Sequence, residues 1–277
     1  MKDVAFGQYY PVDSFVHRVD PRLKIVFLIA FIVAIFLASN FYGLAACAAV
    51  LLVIILFSRV PIGKILRSLR GVLFLVIFTA VINVLFHTGE ETYWKGPAVY
   101  WDWKIFTVTQ EGIVFSLFLI LRLVLLVTCS SILTYTTTPV SLTDGIESLL
   151  TPLKWVRFPV HELALVMSIA LRFIPILMDE TERIKNAQKA RGADFESGNL
   201  IGRVKAIVPI LIPLLLSAFR RADELGDAMD ARCYSGGKQR TKYKKLTFTW
   251  RDLIGLFVGA ALITGVVLLR VYLGAPL

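Results

Sequence analysis

Hydrophobic residues along this chain fall into two kinds of pattern. Five stretches are almost unbroken apolar runs: Arg22 to Ser39, Phe41 to Ser58, Gly71 to about Phe86, Gly112 to Leu133 and Asp252 to about Tyr272. The first two each cover about 26 Å as helices, just enough for a hydrocarbon layer of about 30 Å if flanks and bilayer adjust. Only Asn40 separates them, so they should form a tight hairpin of spans. The first should begin at Pro21, since the Asp20 carboxylate can cap free N–H groups and proline at the first helical position loses no hydrogen bond.

Two other stretches are amphipathic. Leu163, Met167, Ala170, Ile174, Leu177, Thr181 and Ile184 recur at helical spacing, as do Val204, Ile207, Leu211, Leu215, Ala218, Ala222, Leu225 and Met229. The predicted helices share a layout, a fairly apolar first half and a charged second half, and charge argues against their crossing. Arg172 interrupts the first, and the apolar centre of the second, Ala206 to Phe219, is fourteen residues holding Pro209 and Pro213. At about 21 Å it is too short to span. The segment between them carries Arg183, Lys185, Lys189, Arg191, Arg203 and Lys205, which would lie outside if each helix crossed, against the positive-inside tendency. Both helices are therefore expected along or beneath the inner face of the membrane.

The predicted fold is an all-α integral membrane protein of about five transmembrane helices plus a cytoplasmic domain of long amphipathic helices. Its parts are residues 1–133 with four spans, 134–251 in the cytoplasm, and 252–277 with the last span. Residues 134–251 hold eighteen Lys and Arg against twelve Asp and Glu. An internal N-terminus leaves the basic loops inside, as orientation by Lys and Arg requires.

Composition agrees. Of 277 residues, 57% are hydrophobic and 18% charged, and the mean hydropathy is +0.71. The formal charge of +10 sits between apolar runs, which favours membrane orientation and anionic lipid over nucleic acid. The three cysteines, Cys47, Cys129 and Cys233, have no metal or disulfide spacing. The first 24 residues lack an apolar core, so no cleavable signal is expected. Tyr93, Trp94, Tyr100, Trp101 and Trp103 suggest an interfacial belt on the outer side, and alternation from Val99 to Val108 permits a small hairpin. Arg122, near the middle of the fourth run, should meet backbone carbonyls or a partner subunit. Asn83 should bond between helices, His17 should be a local packing or capping residue, and Gly255 with Gly259 has the spacing of close helix packing.

The two amphipathic helices also end alike, in Ala190-Arg191-Gly192 and Ala231-Arg232-Cys233. Stability alone explains one such end, because arginine in a last turn meets the negative end of the helix dipole, at about 0.3–1 kcal/mol, and glycine stops a helix. Two matching ends suggest a second role: small residues admit a close partner, and a planar fork of donors grips carboxylates or carbonyls. Two plugs should meet two sockets.

With His17, Asp20-Pro21-Arg22, Lys24 and the turn from Thr138-Pro139 to Gly145, these ends give a chain that resembles, over nearly its whole length, the T component of energy-coupling factor transporters, ATP-driven bacterial importers of vitamins and metal ions. In that family both ends are usually Ala-Arg-Gly. Cys233 departs from the pattern and makes the second helix end less certain. The resemblance implies a plasma-membrane subunit with no catalytic residue, metal or cofactor of its own. Two ABC-type ATPase subunits would bind ATP and magnesium and receive Arg191 and Arg232. A separate substrate-binding membrane S component would pack on Leu163, Met167, Ile174, Leu177, Leu211, Leu215 and Phe219.

Other classes fit less well. An autonomous secondary transporter needs ionisable groups near mid-bilayer, where only Arg122 is available. A conventional ABC permease subunit carries one coupling helix per chain. For an enzyme, His161-Glu162 lacks the second histidine of a zinc helix, and Gly236-Gly237-Lys238 lacks the rest of a phosphate-binding loop.

Overall fold

The computed structural model describes residues 9–86, 99–103, 106–156, 158–193, 195, 200–234, 236 and 249–273. The chain divides into two units, one of Gly7–Ile146 with Leu246–Leu277 and the other containing Glu147–Lys245.

In the first unit, α1 (Pro21–Leu37) begins at the proline, and an Asp20 carboxylate oxygen accepts from the Arg22 N–H at 2.9 Å. The chain reverses over Ala38–Asn40 into α2 (Phe41–Ser58). Gly43 makes that reversal possible, since a Cβ there would lie 3.0 Å from the Ala38 Cβ. The core forms here from small and branched side chains, with Phe31, Ala34, Ile35, Leu44, Cys47 and Val266 buried. Without a hydrophobic drive between helices in lipid, such small residues let backbones approach for van der Waals contact. The opposite sides of these helices stay exposed and apolar, as at Ile29, Phe36, Leu52 and Leu56.

The next helix, α3, runs Ile62–Phe86 and so starts nine residues before the expected third span. Lys64, Arg67 and Arg70, read from the sequence as a loop, lie on it, because both residue types form helices well and can extend their charges toward water. Asn83 donates to the Thr79 carbonyl of its own helix at 2.8 Å, a local bond where one between helices was expected. The alternating stretch does form a hairpin, with β1 (Val99–Trp103) antiparallel to β2 (Phe106–Thr109). Tyr93 and Trp94 of the expected belt lie outside the described residues.

Then come α4 (Gln110–Thr136), α5 (Pro139–Leu150) and, from the far end of the chain, α8 (Trp250–Leu273). Gly259 of α8 faces the Phe27 ring of α1, where an added Cβ would lie 3.4 Å from that ring, while Gly255 touches nothing. Half of the paired-glycine reading therefore holds. Gly145 of α5 sits tightly over α1, its missing Cβ 3.1 Å from that of Pro21.

Charged side chains close the helix ends of this unit. Asp252, 1% exposed, receives the Thr249 N–H at 2.6 Å and the Asp20 N–H at 2.9 Å, so one carboxylate serves the N-termini of α8 and α1. At the opposite pole of another dipole, the Lys24 ammonium donates to the Thr136 carbonyl at the end of α4 (2.9 Å), to the Thr137 hydroxyl and to the His17 carbonyl. Arg122 does the same for α1: its Nη2 donates at 3.0 Å to the carbonyl of Ala38, which ends that helix, and its guanidinium stacks 4.7 Å from the Phe118 ring. The carbonyl contact expected for Arg122 is thus observed.

His17 holds the polar lead in place. Its Nε2 must donate to the Tyr10 carbonyl, 3.0 Å away, which leaves Nδ1 to accept from the Ser14 hydroxyl at 2.6 Å. That tautomer is neutral. Burial pushes the imidazole below its ordinary value and the Lys24 charge adds to this, against the opposing pull of the Tyr10 carbonyl.

The second unit contains α6 (Val160–Ala190) and α7 (Leu200–Asp230), each 31 residues long and packed on the other. A 3-10 turn, Thr151–Val156, leads into them. Among the described residues of this unit only Glu147 and Val160 are buried.

Among the described residues, five helices could cross a membrane by length and composition: α2, α3, α4, α6 and α8. The total matches the sequence reading but the membership differs. With 17 residues α1 falls short of the length required, and α6 qualifies through its apolar first half, in which Arg172 is one of few charges. Composition cannot tell a spanning helix from one lying in the interface.

Asp252→Ala should strand two backbone donors and cost about 2–4 kcal/mol, with Asp252→Asn less harmful because one acceptor remains; melting of the purified chain in mild detergent measures both. Because the folded His17 pKa is lowered, the unfolded chain binds the extra proton. Its contribution is therefore complete above the ordinary value of 6.5 and lost as pH falls below it. Wild type should lose more stability than His17→Asn between neutral pH and pH about 5.

Candidate functional site: two arginine-tipped helix ends

The last turn of α6 closes on itself. Gly192 N–H donates to the Lys189 carbonyl and Ala193 N–H to the Gln188 carbonyl, both at 3.0 Å, with Gly192 at φ 85°. This Schellman arrangement gives the Gln188 and Lys189 carbonyls backbone donors. The last turn of α7 repeats it: Cys233 N–H donates to Asp230 and Tyr234 N–H to Met229 at 2.9 and 3.0 Å, with Cys233 at φ 55°. Cys233 therefore stops its helix as glycine would, despite the roughly 1–2 kcal/mol that a Cβ costs in the left-handed region. The doubt its side chain raised is resolved in favour of equivalent ends.

Local chemistry then decides what the arginines can do. Ala190, Arg191, Gly192, Ala231, Arg232 and Cys233 are all exposed. The carbonyls of Gln188 and Lys189 at one end, and of Met229 and Asp230 at the other, are already occupied, and neither guanidinium has an ion pair or hydrogen bond to a described residue. Each arginine stands at the helix-cap position with small residues on either side, as a planar donor fork open to solvent.

Upstream, the Arg221 guanidinium of α7 lies 3.7 Å from the Glu180 carboxylate of α6. The two residues are equivalent in the repeat, each eleven positions before its own arginine. Partly exposed, the pair contributes little energy, but it marks where like meets like. No pattern in the sequence had singled it out, although the constant offset was there to be seen.

Six of the seven residues expected to contact a membrane subunit, Leu163, Met167, Ile174, Leu211, Leu215 and Phe219, are exposed, and Leu177 is half-buried. Val166 and Met178 extend the first group, and Ile207, Val208, Ile212 and Leu216 the second. Exposed apolar positions along α7 come in adjacent pairs, so its bare stripe is wider than the single file read from periodicity.

His161 Nδ1 lies 3.3 Å from a Glu147 oxygen. Among the described residues no group of three His, Cys, Asp or Glu could hold a metal ion. The basic cluster Lys238–Lys245 lies outside the described residues.

A helical bundle with lipid-type surfaces, joined in one chain to two long helices with matching exposed tips, defines a predominantly α-helical integral membrane protein. Comparison with known proteins narrows this. Residues 13–243 match the model of the CbiQ family, described as cobalt transport protein. The energy-coupling factor transporter transmembrane protein EcfT of Brevibacillus brevis is 49% identical over 263 residues, covering 95% of this chain and 97% of that protein. Its counterparts in Clostridium kluyveri and Bacillus subtilis are 47% and 45% identical, over 99% and 95% of this chain and 99% and 98% of those proteins. The chain belongs to the EcfT/CbiQ family, the transmembrane components of energy-coupling factor transporters.

Cys233→Gly should relieve the left-handed strain and stabilise the end of α7 by about 0.5–1 kcal/mol, whereas Gly192→Ala should weaken the end of α6 by a similar amount. Amide hydrogen exchange should show Tyr234 slower in the first variant and Ala193 faster in the second.

Proposed function

We propose that this chain is the coupling subunit of an ATP-driven importer, joining two cytoplasmic ABC-type ATPase subunits to a separate S component that binds a vitamin or similar micronutrient. The observation that carries this reading is the equivalence of the two helix ends: like backbone caps, exposed small flanks and two guanidinium groups with no partner among the described residues. Two like sockets on two related ATPases would suit them. ATP and magnesium would be bound and spent by those partners, so this chain needs no cofactor of its own.

The S component would pack on the bare stripes at Leu163, Met167 and Ile174 on α6 and at Leu211, Leu215 and Phe219 on α7. Exposed apolar area on this scale marks an interaction surface. Charge supports residues 134–251, and the N-terminus, on the cytoplasmic side of a bacterial plasma membrane. With Arg191 and Arg232 on one aqueous side, α6 would lie along the interface. A secondary transporter is disfavoured because Arg122 is already engaged by the Ala38 carbonyl.

Affinity purification of the full chain from mild detergent should recover two different ATPases and a small membrane protein. Arg191→Glu together with Arg232→Glu should leave the chain inserted yet abolish ATPase association. Undiminished association of the double variant would eliminate the plug-and-socket reading.

A further inference from the structure

The first unit contains two neighbouring cavities. One, of about 530 Å³, is an apolar cleft between α1 and α2, bounded by α4 and α8 and open on one side. That volume is ordinary for a small-ligand site, about 300–1,000 Å³. Phe27 and Leu28 form one wall and Val53 and Ile54 the other. Beyond Leu28 and Ala49 the helices close on buried Phe31, Ala34, Leu44 and Cys47, so the cleft is blind toward the hairpin turn. Its depth is about 8 Å along α1, from Leu23 to Leu28, and about 12 Å along α2, from Ala49 to Phe57.

The second cavity, of about 590 Å³, holds Asp13, Ser14, Arg18 and Arg59. Phe15 and Phe57 belong to both cavities, and their rings, 6.4 Å apart, form the sill between them. Arg18 is paired with the largely exposed Asp13 at 3.5 Å, whereas Arg59 has no ion pair among the described residues. The cavity is therefore net positive. It lies where α1 begins and α2 ends, at residues 21 and 58, which would be the headgroup level for the hairpin of spans expected from the two apolar runs.

We propose that these cavities together bind one anionic glycerophospholipid from the bilayer, an acyl chain entering the cleft and the phosphodiester lying against Arg18 and Arg59. A blind pocket accepts a chain end but not a through-running helix, which argues against a protein segment as occupant. Arginine suits phosphate by geometry as well as charge, and each basic residue near the headgroup level favours an anionic lipid by roughly fivefold. Lys24, at the cleft wall, is not available for this purpose because its ammonium already serves two oxygens of α4 and its loop and the His17 carbonyl.

The test is native mass spectrometry of the purified full-length chain in detergent, with equimolar phosphatidylglycerol and phosphatidylcholine. Wild type should retain one phosphatidylglycerol in roughly fivefold or greater preference over phosphatidylcholine. Arg18→Gln with Arg59→Gln should still retain lipid but equalise the two. Gly255 lines the cleft and has open space at its missing Cβ, so Gly255→Leu should fill it and reduce retention of both. In wild type, a phosphatidylglycerol carrying a photoreactive acyl chain should label Val53 or Ile54, a readout that needs no variant. Equal retention of the two lipids by wild type would overturn the proposal, as would labelling spread over the exposed face of α3. Displacement by inorganic phosphate would show that only the anion is read, and would overturn the acyl-chain half.

Discussion

A helix end inside a membrane protein has no water to satisfy it, and this requirement governs the bundle. Each helix leaves free N–H groups at its start and free carbonyls at its finish, and exposing them to hydrocarbon costs several kcal/mol apiece. The chain meets the need with charges sent from other helices. Asp252 closes the starts of α1 and α8, Lys24 closes the finish of α4, and Arg122 closes the finish of α1. These contacts join positions 84, 112 and 232 residues apart, so the satisfaction of local backbone and the choice of neighbours are one problem with one solution.

The long helices of the other unit solve the same problem differently. Carbonyls of each last turn, Gln188 and Lys189 in one and Met229 and Asp230 in the other, are taken by backbone donors, and among the described residues the two arginines have no structural bond to make. Arg122 and Arg191 are thus chemically alike and functionally opposite: one is consumed in holding the fold and the other is left over. The bare stripes of α6 and α7 follow from the same economy, since two helices packed on each other bury only part of their apolar surface.

What could be read beforehand was mostly what local chemistry decides. The start of α1 needs only Asp20 and Pro21; the apolar runs and the two Ala-Arg ends are visible without any tertiary knowledge. The family assignment, reached first by resemblance, rests now on matches along almost the full chain. Other features were invisible for a physical reason. Lys24 and Asp252 each have a partner more than a hundred residues away, Thr136 and Asp20, and nothing near either residue names it. The true start of α3 was obscured because Lys64, Arg67 and Arg70 look like a loop by charge while favouring helix by propensity. Whether α6 spans or lies flat was not a matter of hydropathy at all, since 31 residues with an apolar half satisfy both descriptions.

The contact between Glu180 and Arg221 has a geometric consequence. It lies the same distance, about 16 Å of helix, behind each tip, so beyond it the two helices project by equal lengths. Under the docking proposed above, two partners would meet arms of one length and neither would have the longer reach to make.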